Sequence, residues 1–396
     1  MRPREIRKDV YGIGAVDWDR RLFDALIPLP DGTSYNSYLV KGNQKTVLID
    51  TIDPSMREVL FANLDQLNVD HVDYVVFNHA EPDHSGSIVQ VLAKYPEAVA
   101  VCSPRCQGLL TDRFKVSAEK FKTVEDKATI SLGGRTLEFV HTPWVHWPET
   151  MVTYLREERI LFSCDFFGSH LATTDMYINS EAIVHDSAKR YFAEIMMPFR
   201  SNIQKNLEKL KDYAIDIIAP SHGPMYDKPE WVIKAYQSWA DDKPGNVVVI
   251  PYISMHGSTR KMVSYLVDAL SRRGVTVQQV DLASVDLGKL AMSLVDAATI
   301  VIGTPTVLTG PHPAAAYAVF LANALKPRAK YASVIGAYGW GGKAVEQIAA
   351  MLPNLKVEFL PPVLAKGSAG EAEFRALDEL AENIARKHQE AGLTRA

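Results

Sequence analysis

The stretch Asn78-His79-Ala80-Glu81-Pro82-Asp83-His84 directly follows a short apolar run at residues 74–77. Such a run is typical of a buried strand. Two imidazoles and two carboxylates, all side chains that bind metal ions, then follow within six residues. Loops at the carboxyl ends of strands are where α/β sheets place their ligands. Because an irregular loop can turn alternate side chains toward two points, this one segment could serve two metals.

Three later predicted strands each end near a further candidate ligand: His146 after residues 136–140, Asp165 after 160–163 and His222 after 215–219. His141 stands nearer its strand end and competes with His146 for the same role. The remaining histidines, His170 among them, have no comparable companions and are expected at the surface or in ordinary hydrogen bonds. Nitrogen ligands with several carboxylates favour iron or manganese over zinc. A carboxylate such as Asp165 can bridge two cations about 3.5–4 Å apart.

The rest of the first part of the chain predicts a mixed α/β domain. Further strands are predicted at residues 37–40, 46–49, 98–102 and 151–155, and helices at 56–67, 87–94 and 188–212. Several neighbouring strands have no helix between them, so we expect hairpins as well as crossovers. This mixture favours a layered α/β/β/α sandwich over a purely parallel sheet.

A hinge is predicted at Asp241-Asp242-Lys243-Pro244-Gly245-Asn246, which is polar and contains Pro-Gly. It divides the chain into domains of residues 1–244 and 245–396. After the hinge, predicted strands and helices alternate regularly, five of each over about 150 residues. That rhythm predicts a small doubly wound parallel sheet, flavodoxin-like in size.

The first predicted strand of the second domain leads into a turn that is rich in hydroxyl groups. Residues 251–259 open a predicted helix with Ser254, Met255, Gly257, Ser258 and Thr259. Backbone N–H groups and the helix dipole at such a turn can bind a phosphate dianion. An ordinary helix N-cap would use the same hydroxyls, so the turn alone leaves both interpretations open.

Two later loops follow other strands of the same predicted sheet. One contains Pro305, Thr306 and Val307, and the other contains Tyr338, Gly339, Trp340, Gly341 and Gly342. Carboxyl ends of parallel strands meet at one edge of a doubly wound sheet, where ligands bind. Trp340 offers a flat aromatic face between glycines. The spacing of the three loops resembles that of flavodoxin, and this resemblance implies a flavin site.

These motifs resemble those of the flavodiiron proteins, also called A-type flavoproteins, over essentially the whole chain. Zinc hydrolases of the metallo-β-lactamase fold carry His-x-His-x-Asp-His, whereas this chain has Glu81 at the second histidine, as in the flavodiiron pattern. The resemblance implies a metallo-β-lactamase-like αβ/βα sandwich followed by a flavodoxin-like domain. It places one iron on His79, Glu81 and His146, the other on Asp83, His84 and His222, and Asp165 between them as the bridge.

The resemblance also implies the second cofactor and the assembly. FMN would bind its phosphate on the turn at 251–259 and lay its ring against the two later loops. Many relatives carry asparagines after the Pro-Thr pair, where this chain has Val307-Leu308-Thr309. Tyr191 would reach the irons' surroundings as a hydrogen-bond donor, or is an ordinary packed tyrosine. A head-to-tail homodimer, or a dimer of dimers, would bring the FMN of one chain to the irons of the other.

Composition excludes several other classes of protein. The chain has 396 residues, 47% of them hydrophobic, and a net charge of −4, without the basic face that nucleic-acid binding needs. No apolar run approaches the length of a membrane span, and the basic N-terminus is not followed by a secretory signal. The three cysteines argue against a disulfide scaffold. We therefore expect a cytoplasmic protein with no membrane or nucleic-acid partner.

The electron donor is expected to be external. Cys102 and Cys106 lack the spacing of a rubredoxin-type iron site, and a structural role is expected for them. The donor is then another protein or a reduced cofactor, for which the resemblance implies rubredoxin or reduced F420.

The predicted function is reduction of O2 to water at the di-iron site, with electrons passed through FMN. Reduction of NO to N2O is the alternative, because it needs the same irons and flavin. A binuclear hydrolase of the metallo-β-lactamase type is a rival that Glu81 and the flavin loops disfavour. A flavodoxin-type electron carrier with a decayed first domain is disfavoured by the seven intact ligands.

Overall fold

The computed structural model describes residues 2–284 and 286–394. These residues form two compact units. One unit runs to Phe192 and again from Phe199 to Ala240, and the other contains Ala193–Pro198 and the residues from Asp241 onward. Across the two described ranges, no helix combines the length and the apolar character needed to span a bilayer.

Two sheets form the centre of the first unit. In spatial order, the strands of the first sheet are Arg4–Arg7, Val10–Gly12, Tyr38–Lys41, Thr46–Ile49, Tyr74–Phe77, Val99–Cys102 and Phe121–Thr123. Those of the second sheet are Thr129–Ser131, Thr136–His141, Met151–Leu155, Ile160–Cys164 and Ile217–Pro220. Two short strand pairs lie between Val10–Gly12 and Tyr38–Lys41 in the sequence, namely Ala15–Asp17 with Thr33–Tyr35 and Leu22–Phe23 with Ile27–Pro28. The helices are Arg57–Gln66, Pro82–Ser85, Ile88–Lys94, Pro104–Phe114, Glu181–Tyr191, Arg200–Leu210 and Pro229–Ala240.

Alternation along the central strands of the first sheet explains the layers. Successive side chains of a strand face opposite sides of the sheet. Leu48 and Val75 pack in a core with residues of the helices Arg57–Gln66 and Ile88–Lys94. Their neighbours Val47 and Val76 pack instead in a core shared with the second sheet. The predicted layered sandwich is thereby confirmed.

The predicted continuous helix at residues 188–212 is wrong. Glu181–Tyr191 passes into a π-helical turn at Phe192–Met196 and a 3₁₀ turn at Met197–Phe199, and a separate helix begins at Arg200. Pro198 supplies the physical reason. Proline has no N–H, and its ring clashes with a carbonyl of the preceding turn, so a regular helix cannot run through it.

The second unit contains the predicted doubly wound parallel sheet, which is confirmed. Its strands, in spatial order, are Thr276–Asp281, Val247–Tyr252, Thr299–Gly303 and Tyr331–Tyr338, the last pairing with both Glu358–Phe359 and Val363–Lys366. Its helices are Ser258–Ser271, Leu287–Val295, Pro313–Leu325, Ala344–Ala350 and Glu371–Glu390. The carboxyl ends of Val247–Tyr252, Thr299–Gly303 and Tyr331–Tyr338 lead into the three predicted flavin loops.

Candidate metal centre and flavin loops

Four strand ends in the first unit bring the predicted metal ligands together. The first four, His79, Glu81, Asp83 and His84, follow Tyr74–Phe77; the others are His146 after Thr136–His141, Asp165 after Ile160–Cys164 and His222 after Ile217–Pro220. His146 is partly buried, and the other six are buried. Charged side chains are seldom buried without partners, so such a cluster calls for compensating charge.

One helical turn divides the ligands of the first loop. Glu81 is extended, with φ −62° and ψ 142°, and Pro82 opens the turn Pro82–Ser85. The fixed φ of proline suits the first position of a helix. Ser85 Oγ donates to the carbonyl of Ala80 at 2.7 Å, and the N–H of His84 donates to the carbonyl of Glu81 at 3.0 Å. This local frame sets Glu81 with one group of ligands and the two residues after Pro82 with another.

The first group consists of His79, Glu81 and His146. Oε2 of Glu81 lies 3.1 Å from Nε2 of His79 and 3.1 Å from Nε2 of His146. Oδ2 of Asp165 lies 3.5 Å and 3.4 Å from the same two nitrogens. These ligand atoms all lie within 4.8 Å of one another.

The second group consists of Asp83, His84 and His222. Oδ2 of Asp83 lies 3.3 Å from Nε2 of His84 and 3.1 Å from Nε2 of His222. Oδ1 of Asp165 lies 3.0 Å and 3.4 Å from these nitrogens. Asp165 therefore turns one carboxylate oxygen to each group, which is the geometry of a carboxylate that bridges two cations.

Several buried atoms of this centre have no hydrogen-bonding partner within residues 2–284 and 286–394. They are both carboxylate oxygens of Asp83, both of Asp165 and Nε2 of His84. A buried polar atom left unsatisfied costs about 1–3 kcal/mol. Two cations would satisfy these atoms together. Imidazole nitrogens with carboxylate oxygens suit iron, so the residues present fit a di-iron centre.

Attraction between histidines and carboxylates shifts the pKa values at the centre. Burial alone would raise the pKa of Asp165, but His84, His146 and His222 hold it well below its usual value. Burial alone would lower the pKa of His146 and of His222, but neighbouring carboxylates raise these to about 9 and about 10. The centre thus favours positive charge, as a cation site must.

Two of the predicted ligand histidines form a hydrogen bond through Nδ1, so that Nε2 faces the centre. Nδ1 of His79 lies 2.7 Å from Oε1 of Glu149, and Nδ1 of His222 lies 2.7 Å from the carbonyl oxygen of Ser34. Our sequence reasoning missed Glu149. The available signal was its place in the same loop as His146, three residues further on.

His141 and His146, the two candidates for one ligand position, lie in different surroundings. Nε2 of His141 lies 3.0 Å from the carbonyl oxygen of Val124, and its N–H donates to Asp126. His141 is thus engaged elsewhere, while His146 lies with His79 and Glu81.

Tyr191 and His170 lie beside the second group. The buried ring of Tyr191 is 5.8 Å from that of His222 and 4.9 Å from that of His170. Burial raises the pKa of Tyr191 well above its usual value, so its phenol keeps its proton. His170 is hydrogen-bonded as expected, with Nδ1 2.9 Å from Oγ1 of Thr33, but it is buried and its ring is 4.8 Å from that of His222. Sequence spacing gave no sign of this closeness.

The phosphate turn of the second unit begins a helix through a glycine. Gly257 has φ +86°, and Ser258–Ser271 starts directly after it. Oγ of Ser254 accepts a hydrogen bond from the N–H of Arg260 at 3.2 Å, which ties the turn to the first residues of the helix. Free N–H groups at a helix start can receive a phosphate.

The other two flavin loops are tied to each other. The N–H of Lys343 donates to the carbonyl of Thr309 at 2.8 Å, and a Cβ on Gly342 would stand 2.4 Å from Cγ2 of Thr306. In contrast, a Cβ on Gly339 would meet nothing within 4 Å, and the side chain of Trp340 is 92% exposed. An open cradle with one flat aromatic side chain fits a planar cofactor such as flavin.

Comparison with known proteins follows the same two-part division. The family model described as "ODP family beta lactamase" matches residues 33–223, and the flavodoxin model matches residues 250–382. A nitric oxide reductase of Moorella thermoacetica is 34% identical over 365 residues, covering 90% of this chain and 91% of the relative. A coenzyme F420H2 oxidase of Methanothermobacter marburgensis is 33% identical over 363 residues, covering 88% and 89%.

Solved structures agree along the whole chain. Rubredoxin oxygen:oxidoreductase from Desulfovibrio gigas has a TM-score of 0.95 at 28% identity, covering 99% of this chain and 100% of that one. The flavodiiron protein from Giardia intestinalis has a TM-score of 0.90 at 28% identity, covering 99% and 98%. The chain belongs to the flavodiiron proteins. Membership confirms the predicted oxidoreductase class and the predicted cofactor pair of this flavodiiron protein, FMN and a non-haem di-iron centre.

Proposed function

We propose that this flavodiiron protein reduces O2 to water, with electrons from an external donor passing through FMN. The observation that carries the proposal is Asp165, whose two oxygens each face one group of buried histidine and carboxylate ligands. When bound, two ferrous ions and reduced FMN supply the four electrons that this reduction requires. The protein's own residues hold both ions, exclude bulk water and supply protons.

The proposed ligands divide as the two groups divide. One iron would be held by His79, Glu81 and His146 and the other by Asp83, His84 and His222, with Asp165 available to both. Side-chain N–O distances of 3.0–3.5 Å within the two groups support this division. The buried ring of Phe23 packs edge-on beside this second group, with its centroid 6.4 Å from that of His222. Tyr191 holds a proton on its hydroxyl at this side of the centre.

The proposed flavin contacts follow the three loops. The residues that would hold the FMN phosphate are Ser254, Met255, Gly257, Ser258 and Thr259, and those that would hold its ring are Pro305, Thr306, Val307, Tyr338, Gly339, Trp340, Gly341 and Gly342. Support comes from the helix start after Gly257 and from the exposed face of Trp340. The helix start offers backbone N–H donors to a ligand, and Trp340 offers an aromatic surface.

Reduction of NO to N2O at the same centre is the second candidate. It is favoured by the similarity to the Moorella thermoacetica protein that is named a nitric oxide reductase. The names of two other similar proteins support the proposed donors, rubredoxin for one and reduced F420 for the other.

A head-to-tail homodimer, or a dimer of such dimers, is also proposed. Trp18, Leu22 and Leu26 are large apolar side chains exposed in the segment that carries Phe23, and Leu308 and Trp340 are exposed at the flavin loops. Exposed apolar clusters at both cofactor sites are what a contact between two copies would cover. A cytoplasmic location, where thiols stay reduced, is proposed from the free cysteines Cys102, Cys106 and Cys164.

The experiment that tests the function compares Asp165→Ala with Asp112→Ala, an exposed aspartate on the helix Pro104–Phe114. Iron, zinc and FMN are measured on anaerobically purified protein, and O2 and NO consumption with a reduced donor is followed by electrode. We expect two irons and one FMN per chain in the wild type and in the control. Asp165→Ala should keep FMN and lose gas reduction. Zinc without flavin in the wild type, or undiminished turnover by Asp165→Ala, would contradict the proposal.

A further inference from the structure

Glu149 stands directly behind a proposed iron ligand. Its side chain is fully buried, and Oε1 lies 2.7 Å from Nδ1 of His79. The same oxygen accepts the backbone N–H of Ala80 at 3.1 Å. One carboxylate oxygen thus receives hydrogen bonds from the ring of His79 and from the peptide that follows it.

We propose that Glu149 is a positioning residue, which sets the tautomer and ring orientation of His79 and thereby the iron affinity of the His79, Glu81 and His146 group. With the proton on Nδ1 donated to Glu149, the lone pair of Nε2 is left for the metal. A partner of this kind on a ligating histidine typically contributes 10–100-fold to metal affinity. The bond to Ala80 also fixes the first peptide of the loop that carries Glu81.

The second group is built differently. Nδ1 of His222 lies 2.7 Å from the backbone carbonyl oxygen of Ser34, a partner that no side-chain substitution removes. Loss of the Glu149 carboxylate should therefore weaken one of the two irons and leave the other in place. That selectivity separates positioning from a general loss of structure.

A matched control exists next to Glu149. Oγ of Ser103 donates to the backbone carbonyl of Glu149 at 2.7 Å and caps the helix Pro104–Phe114. Ser103→Ala removes these hydrogen bonds but keeps the contact of the Glu149 carboxylate with His79. Glu149→Gln keeps an oxygen that can accept from both N–H groups, whereas Glu149→Ala removes it.

The test is anaerobic chelator competition on the full-length holoprotein, with iron release followed over time. We expect Glu149→Ala to lose one iron about 10–100-fold faster than wild type and to keep the other. Glu149→Gln should release iron at a rate nearer to wild type, and Ser103→Ala at the wild-type rate. Equal loss of both irons, unchanged release by Glu149→Ala, no rescue by Glu149→Gln, or the same selective loss in Ser103→Ala would each overturn the inference. The inference rests on the proposed function, yet the two fail differently: a wild type without two irons refutes the proposed function, whereas a wild type with two irons leaves only Glu149 in question.

Discussion

The metal centre and the flavin loops are prepared for their cofactors in different ways. At the centre, six of the seven proposed ligands are buried, and the carboxylate of Asp165 already lies between two groups. At the flavin loops, the side chains of Trp340 and Leu308 are 92% and 95% exposed. The first site is shaped by folding, whereas the second leaves a surface that its ligand would cover.

The difference follows from the charge of the groups involved. Carboxylates in a protein interior are costly unless each finds a partner, so a cluster of them must be held by the fold itself. A flavin needs backbone donors and a flat apolar face, which exposed loops can offer at little cost. Substitutions at the centre should therefore change metal content and leave flavin bound, and the reverse should hold for the loops.

Glu81→His should produce the largest effect at the centre. It replaces an oxygen ligand by nitrogen and restores the His-x-His-x-Asp-His pattern of the zinc hydrolases, so metal preference should move from iron toward zinc. O2 reduction should fall at least about 100-fold, since even outer partners of metal ligands contribute 10–100-fold. Elemental analysis and an oxygen electrode measure both, and the visible spectrum should show FMN retained. Wild-type iron and turnover would show that Glu81 is not a ligand.

Trp340→Ala should affect only the flavin loops and not the metal centre. Loss of aromatic stacking worth about 0.5–1.5 kcal/mol predicts FMN affinity weaker by about 2–10-fold. Because Trp340 is almost fully exposed, thermal stability and iron content should not change. Phe320→Ala, at an exposed aromatic residue of the helix Pro313–Leu325, is the control and should leave FMN affinity unchanged. Equal FMN affinity in the two variants would remove Trp340 from the flavin site.

The two sites were also unequally predictable from sequence. The predicted metal ligands all lie close to strand ends, so the motif at 78–84 and the residues His146, Asp165 and His222 could be proposed from the sequence pattern alone. The partners behind them could not, because Glu149 and Ser34 reach His79 and His222 through tertiary contacts that leave no spacing signal. His170 was underestimated for the same reason. The continuous helix at 188–212 failed because its apolar pattern outweighed Pro198, whose missing N–H a purely periodic argument ignores.

His388 of the second unit is a buried histidine whose surroundings differ from those of the histidines at the metal centre. At the metal centre they face carboxylates, but His388 lies between neutral partners, with Nε2 2.8 Å from Oγ1 of Thr299 and Nδ1 2.8 Å from Oδ1 of Asn246. Burial lowers the pKa of His388 to about 4. The unfolded chain, with an ordinary histidine pKa near about 6.5, binds the proton more readily. The stability that the fold gains from a neutral His388 is therefore complete above pH about 6.5 and is lost as the pH falls toward about 4.

His388→Leu should remove that pH dependence. The variant should be about 1–3 kcal/mol less stable at neutral pH, because Thr299 and Asn246 lose a buried partner. Its deficit in unfolding free energy should shrink as the pH falls from about 6.5 to about 4, since only the wild type must then keep an imidazole neutral inside the fold. Urea unfolding at several pH values measures the difference, with His71→Gln at an exposed site as the control. A deficit that is constant with pH would show that His388 titrates normally in the fold.

A small effect is expected at the hairpin of the flavin loops, where the resemblance to the family leads us to expect asparagines and this chain has Val307-Leu308-Thr309. Thr306–Val307 pairs with Gly310–Pro311 around Leu308 and Thr309, whose φ angles are +47° and +65°. A two-residue turn of this kind favours Asn-Gly, and a β-branched residue in the left-handed region is strained. Leu308→Asn combined with Thr309→Gly should raise stability by about 1 kcal/mol, measured by thermal unfolding of the flavin-free protein.

The same double variant also tests whether Leu308 and Thr309 contribute to FMN binding. The backbone carbonyl of residue 309 still accepts from Lys343, so the link between the two loops survives the change. If Leu308 and Thr309 serve only as a turn, FMN affinity should rise slightly, because the loop is better organised before the flavin arrives. If FMN affinity instead falls while stability rises, Leu308 and Thr309 contact the flavin. Their strained backbone then lowers the stability of the fold in favour of cofactor binding.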